Sequence, residues 1–309
     1  MKEPLFFAKI LLFGEYGIIK DSKGLSIPYN FFKGTLKWAE EETEVTLASH
    51  QSLCDYTEYL KGLPEELLRL DWEALQADLD RRLYFDSSIP QGYGVGSSGA
   101  LVAAFYDRYA VDKISPQADL TPEKLSRLKS IFAAMESYFH GQSSGLDPLN
   151  SYLSLPLLIH SKDKIETTGI PAQNAQGKGA VFLIDSGGSS VTAPMVSLFL
   201  ENMKEEGFRK MMRDEFTQMT DRCVENFLKG NLKSLLSNMK SLSALVLQYF
   251  KPMIPAQFHE LWKKGLETNA YYLKLCGSGG GGYVLGFTQD LEAAQKALQG
   301  YRLEVVHYF

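Results

Sequence analysis

Residues 90–100 read PQGYGVGSSGA, and four of the eight residues from Gly92 to Gly99 are glycines. Such a backbone can adopt positive φ angles and approach a ligand closely. The apolar pattern after Ser97 predicts a helix that runs to about Tyr109, so the free N–H groups of its first turn face the glycine-rich loop. Those groups and the helix dipole favour a bound phosphate. The alternative interpretation is a flexible turn with an ordinary serine cap.

This loop differs from two common phosphate-binding motifs. It has no GKS or GKT and therefore is not a Walker A loop, and no clear strand leads into it, as a dinucleotide-binding fingerprint requires. Ser97 and Ser98 can cap the helix or offer hydroxyl oxygens to Mg²⁺. We interpret the stretch as a phosphate-binding loop of another kind.

A second cluster, residues 136–147, reads ESYFHGQSSGLD. Glu136 lies near the end of a helix predicted at 121–139, and Asp147 follows a glycine-containing turn. Both carboxylates could bind a metal or accept a proton. The alternative is that Asp147 only caps a helix before Pro148, and that His140 is a hydrogen-bonded structural histidine.

A third cluster, residues 274–283, reads KLCGSGGGGY and lies between strand-like runs at 271–276 and 282–287. A disordered linker is not normally enclosed by two strands in this way. We therefore expect a glycine loop that closes over a phosphate or a substrate.

The remaining pattern alternates between strands and helices, with a polar segment at 160–179 that we interpret as the domain boundary. Predicted strands lie at 5–13, 43–48, 180–185 and 303–308. Predicted helices lie at 64–83, 121–139, 193–206, 208–229, 231–250, 257–268 and 290–299.

Composition excludes several classes of protein. The chain has 309 residues, of which 45% are hydrophobic, and its net charge is −5. This is the composition of a globular protein and has no basic footprint for nucleic acid or for an anionic membrane. Its three cysteines lack CxxC or metal spacing, which favours a reducing, cytoplasmic location. We expect no membrane segment and no signal peptide.

The three clusters, in this order, resemble motifs of the GHMP kinase superfamily. Another motif of that family is present at residues 9–19, KILLFGEYGII, which is similar to the mevalonate kinase form of a lysine, an apolar run and Gly-Glu-His. Tyr16 stands in the position of that histidine. The stretch 90–100 is similar to P-x-x-x-G-L-G-S-S-A, with Val95 for Leu and Gly99 for Ala.

The other two clusters carry the same resemblance. Residues 140–147 are similar to the H-G-x-P-S-G-x-D stretch of mevalonate kinases, with Ser143 in place of Pro. Residues 274–282 resemble K-x-T-G-A-G-G-G-G, with Cys276 and Ser278 substituted. The chain is therefore identified as a member of this superfamily, most similar to its mevalonate kinases.

The resemblance implies a two-domain α+β fold. The N-terminal domain, 1–170, would be of the ribosomal-protein-S5-domain-2-like α/β type, with a left-handed βαβ unit and the ATP-binding loop. The C-terminal domain, 171–309, would be ferredoxin-like.

The resemblance also implies roles for particular residues. Asp147 would be the catalytic base and Lys9 its partner, while Ser98 and Glu136 would hold Mg²⁺. The residues expected to bind ATP are Pro90, Gly92, Gly94, Val95, Gly96, Ser97, Ser98 and Gly99. Those expected to bind the acceptor are Glu15, Tyr16, His140, Thr192, Gly277, Ser278, Gly279 and Gly280. For Lys9, the alternative is a strand lysine that only extends its ammonium group to solvent.

The activity implied is ATP- and Mg²⁺-dependent phosphorylation of a small-molecule hydroxyl, with mevalonate converted to 5-phosphomevalonate in isoprenoid biosynthesis. The alternatives are a phosphomevalonate or sugar kinase, the ATP-dependent diphosphomevalonate decarboxylase, and a non-catalytic binding protein. Retention of Lys9, Ser98, Glu136 and Asp147 argues against the last of these. The expected partner is a small-molecule substrate, not nucleic acid or a membrane, and a homodimer is one possible state.

Overall fold

The computed structural model describes residues 3–161 and 164–309, which form two compact units that alternate along the chain. The first unit consists of residues 3–9, Pro28–Pro90 and Gly96–Leu155. The second consists of Ile10–Ile27, Gln91–Val95 and Pro156–Phe309. The contiguous domains at 1–170 and 171–309 stay a prediction.

The described residues form strands and helices in a mixed order. The strands are β1 (Phe6–Phe13), β2 (Gly24–Trp38), β3 (Leu83–Ser87), β4 (Leu157–Ser161), β5 (Lys164–Thr167), β6 (Ala180–Asp185), β7 (Tyr272–Leu275), β8 (Tyr283–Thr288) and β9 (Leu303–Tyr308). The helices are α1 (Glu44–Lys61), α2 (Trp72–Asp80), α3 (Ser97–Tyr109), α4 (Pro122–His140), α5 (Leu146–Leu153), α6 (Thr192–Asn202), α7 (Glu206–Met211), α8 (Thr217–Leu228), α9 (Leu232–Tyr249), α10 (His259–Thr268) and α11 (Leu291–Ala297). None of the helices in the described ranges combines the length and apolar character that crossing a membrane requires.

The core of the first unit is built around α3. Five consecutive residues of this helix, Val102–Tyr106, are buried, as expected of a helix covered on all sides. Its aromatic rings pack on neighbouring helices, with Tyr106 5.0 Å from Phe132 of α4 and 5.2 Å from Tyr152 of α5, between ring centroids. Because α3, α4 and α5 share this core, side chains at their ends are held in a fixed geometry.

The second unit contains a four-stranded antiparallel sheet in the order β7-β8-β6-β9. Along the chain the order is β6, helices α6–α10, β7, β8, α11 and β9, which is the β-α-β-β-α-β arrangement of a ferredoxin-like fold. Every residue of the run Ala180–Ile184 in β6 is buried, and every one is apolar. The predicted ferredoxin-like arrangement is confirmed.

The other sheet has the order β1-β2-β4-β5, and β3 also pairs with β2. In the first unit, Gly34–Trp38 pairs antiparallel with Leu83–Ser87. In the second unit, Gly24–Ser26 pairs antiparallel with Leu157–Ile159. The predicted left-handed βαβ unit stays a prediction.

Two local predictions are wrong. Residues 43–48 were expected to form a strand, but Thr43 caps α1 and its hydroxyl accepts a hydrogen bond from the Thr46 amide. The buried side chains of this helix follow an i, i+3, i+4, i+7 spacing from Leu53 to Leu60, which only a helix satisfies. The helix predicted at 64–83 is limited to α2, because Asp71 caps a new helix start.

Several other predictions are confirmed. The strands at 5–13, 180–185 and 303–308 match β1, β6 and β9 closely. The helix at 121–139 is α4, which starts at Pro122 after the cap residue Thr121.

Candidate functional site

A lysine and an aspartate form an ion pair in the first unit. Lys9 Nζ lies 3.0 Å from Asp147 Oδ2. The Lys9 side chain is only 5% exposed, whereas that of Asp147 is 37% exposed. Lys9 therefore does not extend into solvent. The cap residue of α5 is Gly145, so Asp147 lies in the first turn and is not the helix cap.

A buried glutamate lies near this pair. Glu136 is 3% exposed on α4, and each of its carboxylate oxygens accepts a hydrogen bond from a serine. Ser98 Oγ donates to Oε1 at 2.9 Å, and Ser143 Oγ donates to Oε2 at 2.5 Å. Burial, together with the nearby Asp147 carboxylate, raises the pKa of Glu136 to about 7, although the two serine hydroxyls and Lys9 oppose the rise. A buried carboxylate with such a perturbed pKa is typical of functional sites.

His140 lies against the same serine, with its Nε2 3.0 Å from Ser98 Oγ. The Ser98 proton is directed to Glu136, so we assign the proton of the imidazole to Nε2, which then donates to Ser98 Oγ. Burial lowers the pKa of His140, which favours this neutral form. The expected contact of His140 with the acceptor stays a prediction.

Two glycines at the start of α3 allow these groups to approach one another. Gly96 has a φ of +81°, and a Cβ atom built there would lie 2.9 Å from Cγ of Lys9. A Cβ atom at Gly99 would lie 2.7 Å from the carbonyl carbon of Asp147, which is backbone and cannot rotate away. Glycine at position 99, where the family motif has alanine, is therefore required by the contact between α3 and α5.

The earlier part of the glycine-rich loop, Gln91–Val95, belongs to the second unit. There the Gly92 carbonyl accepts from the Ser190 amide at 2.9 Å. A Cβ atom at Gly94 would lie 2.6 Å from the Cys276 carbonyl oxygen. The predicted ATP-binding residues of this part thus lie beside the third glycine cluster, and their contact with ATP stays a prediction.

A second ion pair lies in the second unit. Glu15 Oε1 is 2.5 Å from Lys274 Nζ, and both side chains are buried, at 7% and 4% exposure. The Lys274 ammonium group also donates to the Leu275 carbonyl at 2.8 Å. Glu15 was predicted to bind the acceptor, which stays a prediction; Lys274 was not singled out, although it is the first residue of the third cluster.

Tyr16 holds the third glycine cluster. Its hydroxyl donates to the Ser278 carbonyl at 2.7 Å, and its ring lies 4.7 Å from Phe199 and 5.7 Å from Phe250. Burial raises the pKa of Tyr16, so the hydroxyl remains a donor. Ser278 Oγ also lies 3.5 Å from Thr192 Oγ1. Of the residues predicted to bind the acceptor, Tyr16, Thr192 and Ser278 are thus brought together.

The three glycines among the residues predicted to bind the acceptor form the turn around Ser278. Gly277, Gly279 and Gly280 have φ angles of +68°, +77° and +81°. The Gly279 carbonyl accepts from Ser190 Oγ at 2.6 Å. The turn is therefore ordered by side-chain contacts rather than an open linker.

The oxygen atoms at Ser98 and Glu136 fit a magnesium ion in chemical type. They are hard donors, adjacent and held by neighbouring side chains, and Mg²⁺ is commonly bound by few protein ligands with phosphates and waters completing its shell. Within residues 3–161 and 164–309, no group of three or more His, Cys, Asp or Glu is placed to hold a metal.

Two family models match the sequence. The model "GHMP kinases N terminal domain" matches residues 61–154, and "GHMP kinases C terminal" matches residues 223–305. Together these segments cover more than half of the chain. No curated protein gives a significant sequence match.

Solved structures with this fold span the whole chain. L. major mevalonate kinase, solved in complex with R-mevalonate, has a TM-score of 0.66 at 17% identity, covering 100% of this chain and 96% of that one. Streptococcus pneumoniae phosphomevalonate kinase, in complex with phosphomevalonate and AMPPNP, has a TM-score of 0.64 at 11% identity, with 99% and 100% coverage. Lactococcus lactis galactokinase, complexed with galactose, has a TM-score of 0.63 at 13% identity, with 98% and 93% coverage. These likenesses establish the two-domain fold.

Proposed function

The chain belongs to the GHMP kinase family, and from this premise we propose that it transfers the γ-phosphoryl group of ATP to a hydroxyl group of mevalonate. The product would be 5-phosphomevalonate, an intermediate of isoprenoid biosynthesis. The observation that carries the kinase proposal is the ion pair between Lys9 and Asp147, in which the carboxylate remains accessible.

We assign Asp147 as the base. As the acceptor oxygen forms its bond to the γ-phosphorus, the hydroxyl proton passes to the Asp147 carboxylate and ADP leaves with the electrons of the broken P–O bond. Lys9 holds that carboxylate in place and stabilises negative charge on the acceptor oxygen. General-base assistance of this kind typically contributes about 10²–10⁴-fold to the rate.

We assign the phosphates to the start of α3 and Mg²⁺ to Ser98 and Glu136. The first N–H groups of this 13-residue helix and its dipole favour an anion. When bound, Mg²⁺ neutralises charge on the phosphate oxygens. Because phosphoryl transfer depends mainly on positioning and charge, these few residues suffice for the chemistry.

The choice of mevalonate rests on the sequence from His140 to Asp147, which resembles the corresponding stretch of mevalonate kinases. The L. major enzyme solved with R-mevalonate is consistent with this choice. At 17% sequence identity to this chain, that structure supports only the fold. The three cysteines, all within the described residues, form no disulfide, as in proteins of reducing compartments, and we propose a cytoplasmic location.

An acceptor screen tests the proposal. The purified protein is incubated with MgATP and, separately, mevalonate, phosphomevalonate, galactose or homoserine, and ADP release is measured. We expect release with mevalonate. A parallel reaction with diphosphomevalonate, monitored for CO₂, tests the decarboxylase. ADP release with another acceptor and none with mevalonate would contradict the choice of substrate while leaving the kinase chemistry intact.

A further inference from the structure

Ser143 contacts the carboxylate that we assign to magnesium, and this contact is absent from the family motif. The motif has proline at this position, which carries no hydroxyl. In this chain the Ser143 hydroxyl donates to Glu136 Oε2 across seven residues of sequence. Ser143 Oγ also accepts a hydrogen bond from the Gly145 amide at 3.0 Å, so the serine is itself held in place.

The hydrogen bonds around Glu136 converge on its carboxylate group. Ser143 donates to one carboxylate oxygen and Ser98 donates to the other. A carboxylate that accepts one hydrogen bond on each oxygen cannot rotate about its Cγ–Cδ bond without losing both. The plane of the Glu136 carboxylate is therefore fixed from two sides.

Ser98 is oriented in the same way. His140 Nε2 donates to its oxygen and the hydroxyl proton is directed to Glu136, which leaves the oxygen one unshared electron pair. Each of the two oxygen donors assigned to Mg²⁺ is thus fixed by a neighbouring side chain. Residues that orient metal ligands in this way typically alter metal affinity or activity when they are changed.

We propose that Ser143 is a positioning residue of the magnesium site, which holds the Glu136 carboxylate in the orientation that binds the nucleotide-associated metal. The proposal rests on the assignment of Glu136 to Mg²⁺ under the proposed function. Ser143 supplies a hydroxyl group at the position where the family motif has the rigid proline. The proline would restrict the backbone of the loop, whereas the serine acts on the carboxylate directly.

The variant Ser143→Ala removes only this hydroxyl. Occupancy by Mn²⁺ is measured by electron paramagnetic resonance in the presence of saturating AMPPNP, so no acceptor is needed. We expect the Mn²⁺ concentration for half-occupancy to rise at least about tenfold, in the range typical of residues that support metal ligands. Ser143→Thr, which keeps the hydroxyl, should restore most of the affinity.

Ser144→Ala is the matched control. Ser144 is adjacent and exposed, and its Oγ accepts a long hydrogen bond, of 3.4 Å, from the Leu146 amide. Its removal should leave Mn²⁺ occupancy unchanged. Circular dichroism melting of each variant verifies that the fold is retained.

A double variant separates positioning from general loop damage. If Ser143 acts through Glu136, Ser143→Ala should weaken Mn²⁺ binding little further in a Glu136→Gln background. Equal Mn²⁺ binding by Ser143→Ala and Ser144→Ala, with Glu136→Gln impaired, would overturn the proposal and leave the kinase assignment standing. Failure of the unmodified protein to bind Mn²⁺ with AMPPNP would instead contradict the proposed function.

Discussion

Two lysine–carboxylate pairs of the same chemical type behave differently in this molecule. Lys9 and Asp147 pair at 3.0 Å in the first unit, and Lys274 and Glu15 pair at 2.5 Å in the second. Both lysines are buried, but 37% of the Asp147 side chain is accessible and only 7% of Glu15. We infer that access of the carboxylate, rather than the presence of an ion pair, decides which of the two can take a proton from a substrate, and that the buried pair mainly stabilises the fold.

The largest expected effect is on the accessible pair. Asp147→Asn keeps the shape of the side chain but removes its ability to take the proton, so kcat should fall by about 10²–10⁴-fold. ATP binding, measured by calorimetry, should survive. Lys9→Met should reduce kcat by a similar order, and the double variant should be far from additive because both groups act on one oxygen. A folded Asp147→Asn protein with near-normal kcat would place the base elsewhere.

The buried pair should instead affect stability. Lys274→Met leaves the Glu15 carboxylate without its lysine in a buried position and should lower the free energy of unfolding by about 3–5 kcal/mol. Urea denaturation measures this loss. The control is Lys37→Met, which breaks the exposed pair with Asp86 and should lose at most about 1 kcal/mol.

Similar losses of stability in Lys274→Met and Lys37→Met would contradict a stabilising role for the buried pair. The Lys274→Met protein that stays folded can also be assayed for its KM for the acceptor. A raised KM for the acceptor at temperatures where the fold is intact would support the predicted contact of Glu15 with substrate.

A third carboxylate, Glu136, is buried and flanked by hydroxyl groups, and it extends the comparison to pH. Because its pKa is about 7 in the folded protein and about 4.5 when unfolded, the folded state binds more protons between these values. The stability of the metal-free protein should therefore be greatest below about pH 4.5 with respect to this group and fall as pH rises to about 7. The loss should reach about 3 kcal/mol.

Denaturation across this pH range, with Glu136→Gln alongside, isolates the contribution. The variant cannot ionise at this position, so its stability should lack this part of the pH dependence. Identical pH profiles for the two proteins would mean that Glu136 ionises as readily folded as unfolded.

The smallest effect is expected at Tyr16, next to the buried pair. Tyr16→Phe keeps the ring against Phe199 but removes the hydrogen bond to the Ser278 carbonyl, so stability should fall by about 0.5–1.5 kcal/mol. Amide exchange from residues 277–282 should become faster. Unchanged exchange in this segment would show that the hydroxyl does not hold the glycine turn.

The sequence predicted the accessible pair because its members lie within short, ordered motifs. Lys9, Ser98, Glu136 and Asp147 were all proposed from the resemblance to the family motifs, and the first unit brings all four close together. The role of Ser143 could not be predicted. It depends on how a loop turns back after α4, and a serine in a loop has many equally common interpretations.

The errors in the predicted secondary structure have a similar origin. The six residues 43–48 fit an alternating pattern as well as a helical one, and only the buried positions from Leu53 to Leu60 distinguish the two. The long strand β2 was not predicted, because its exposed and buried residues do not alternate regularly. Pairing with β3 and β4, both distant in sequence, stabilises this strand.

The close approach of α3 and α5 at Gly99 has a consequence for motion. The contact joins backbone to backbone, so there are no side-chain rotamers through which the two helices could shift separately. The start of α3 and the turn that carries Asp147 should then open to solvent as a single cooperative unit, with amide protons in both helices exchanging at one common free energy. The alignment between the proposed phosphate-binding turn and the proposed base would persist until that whole unit unfolds.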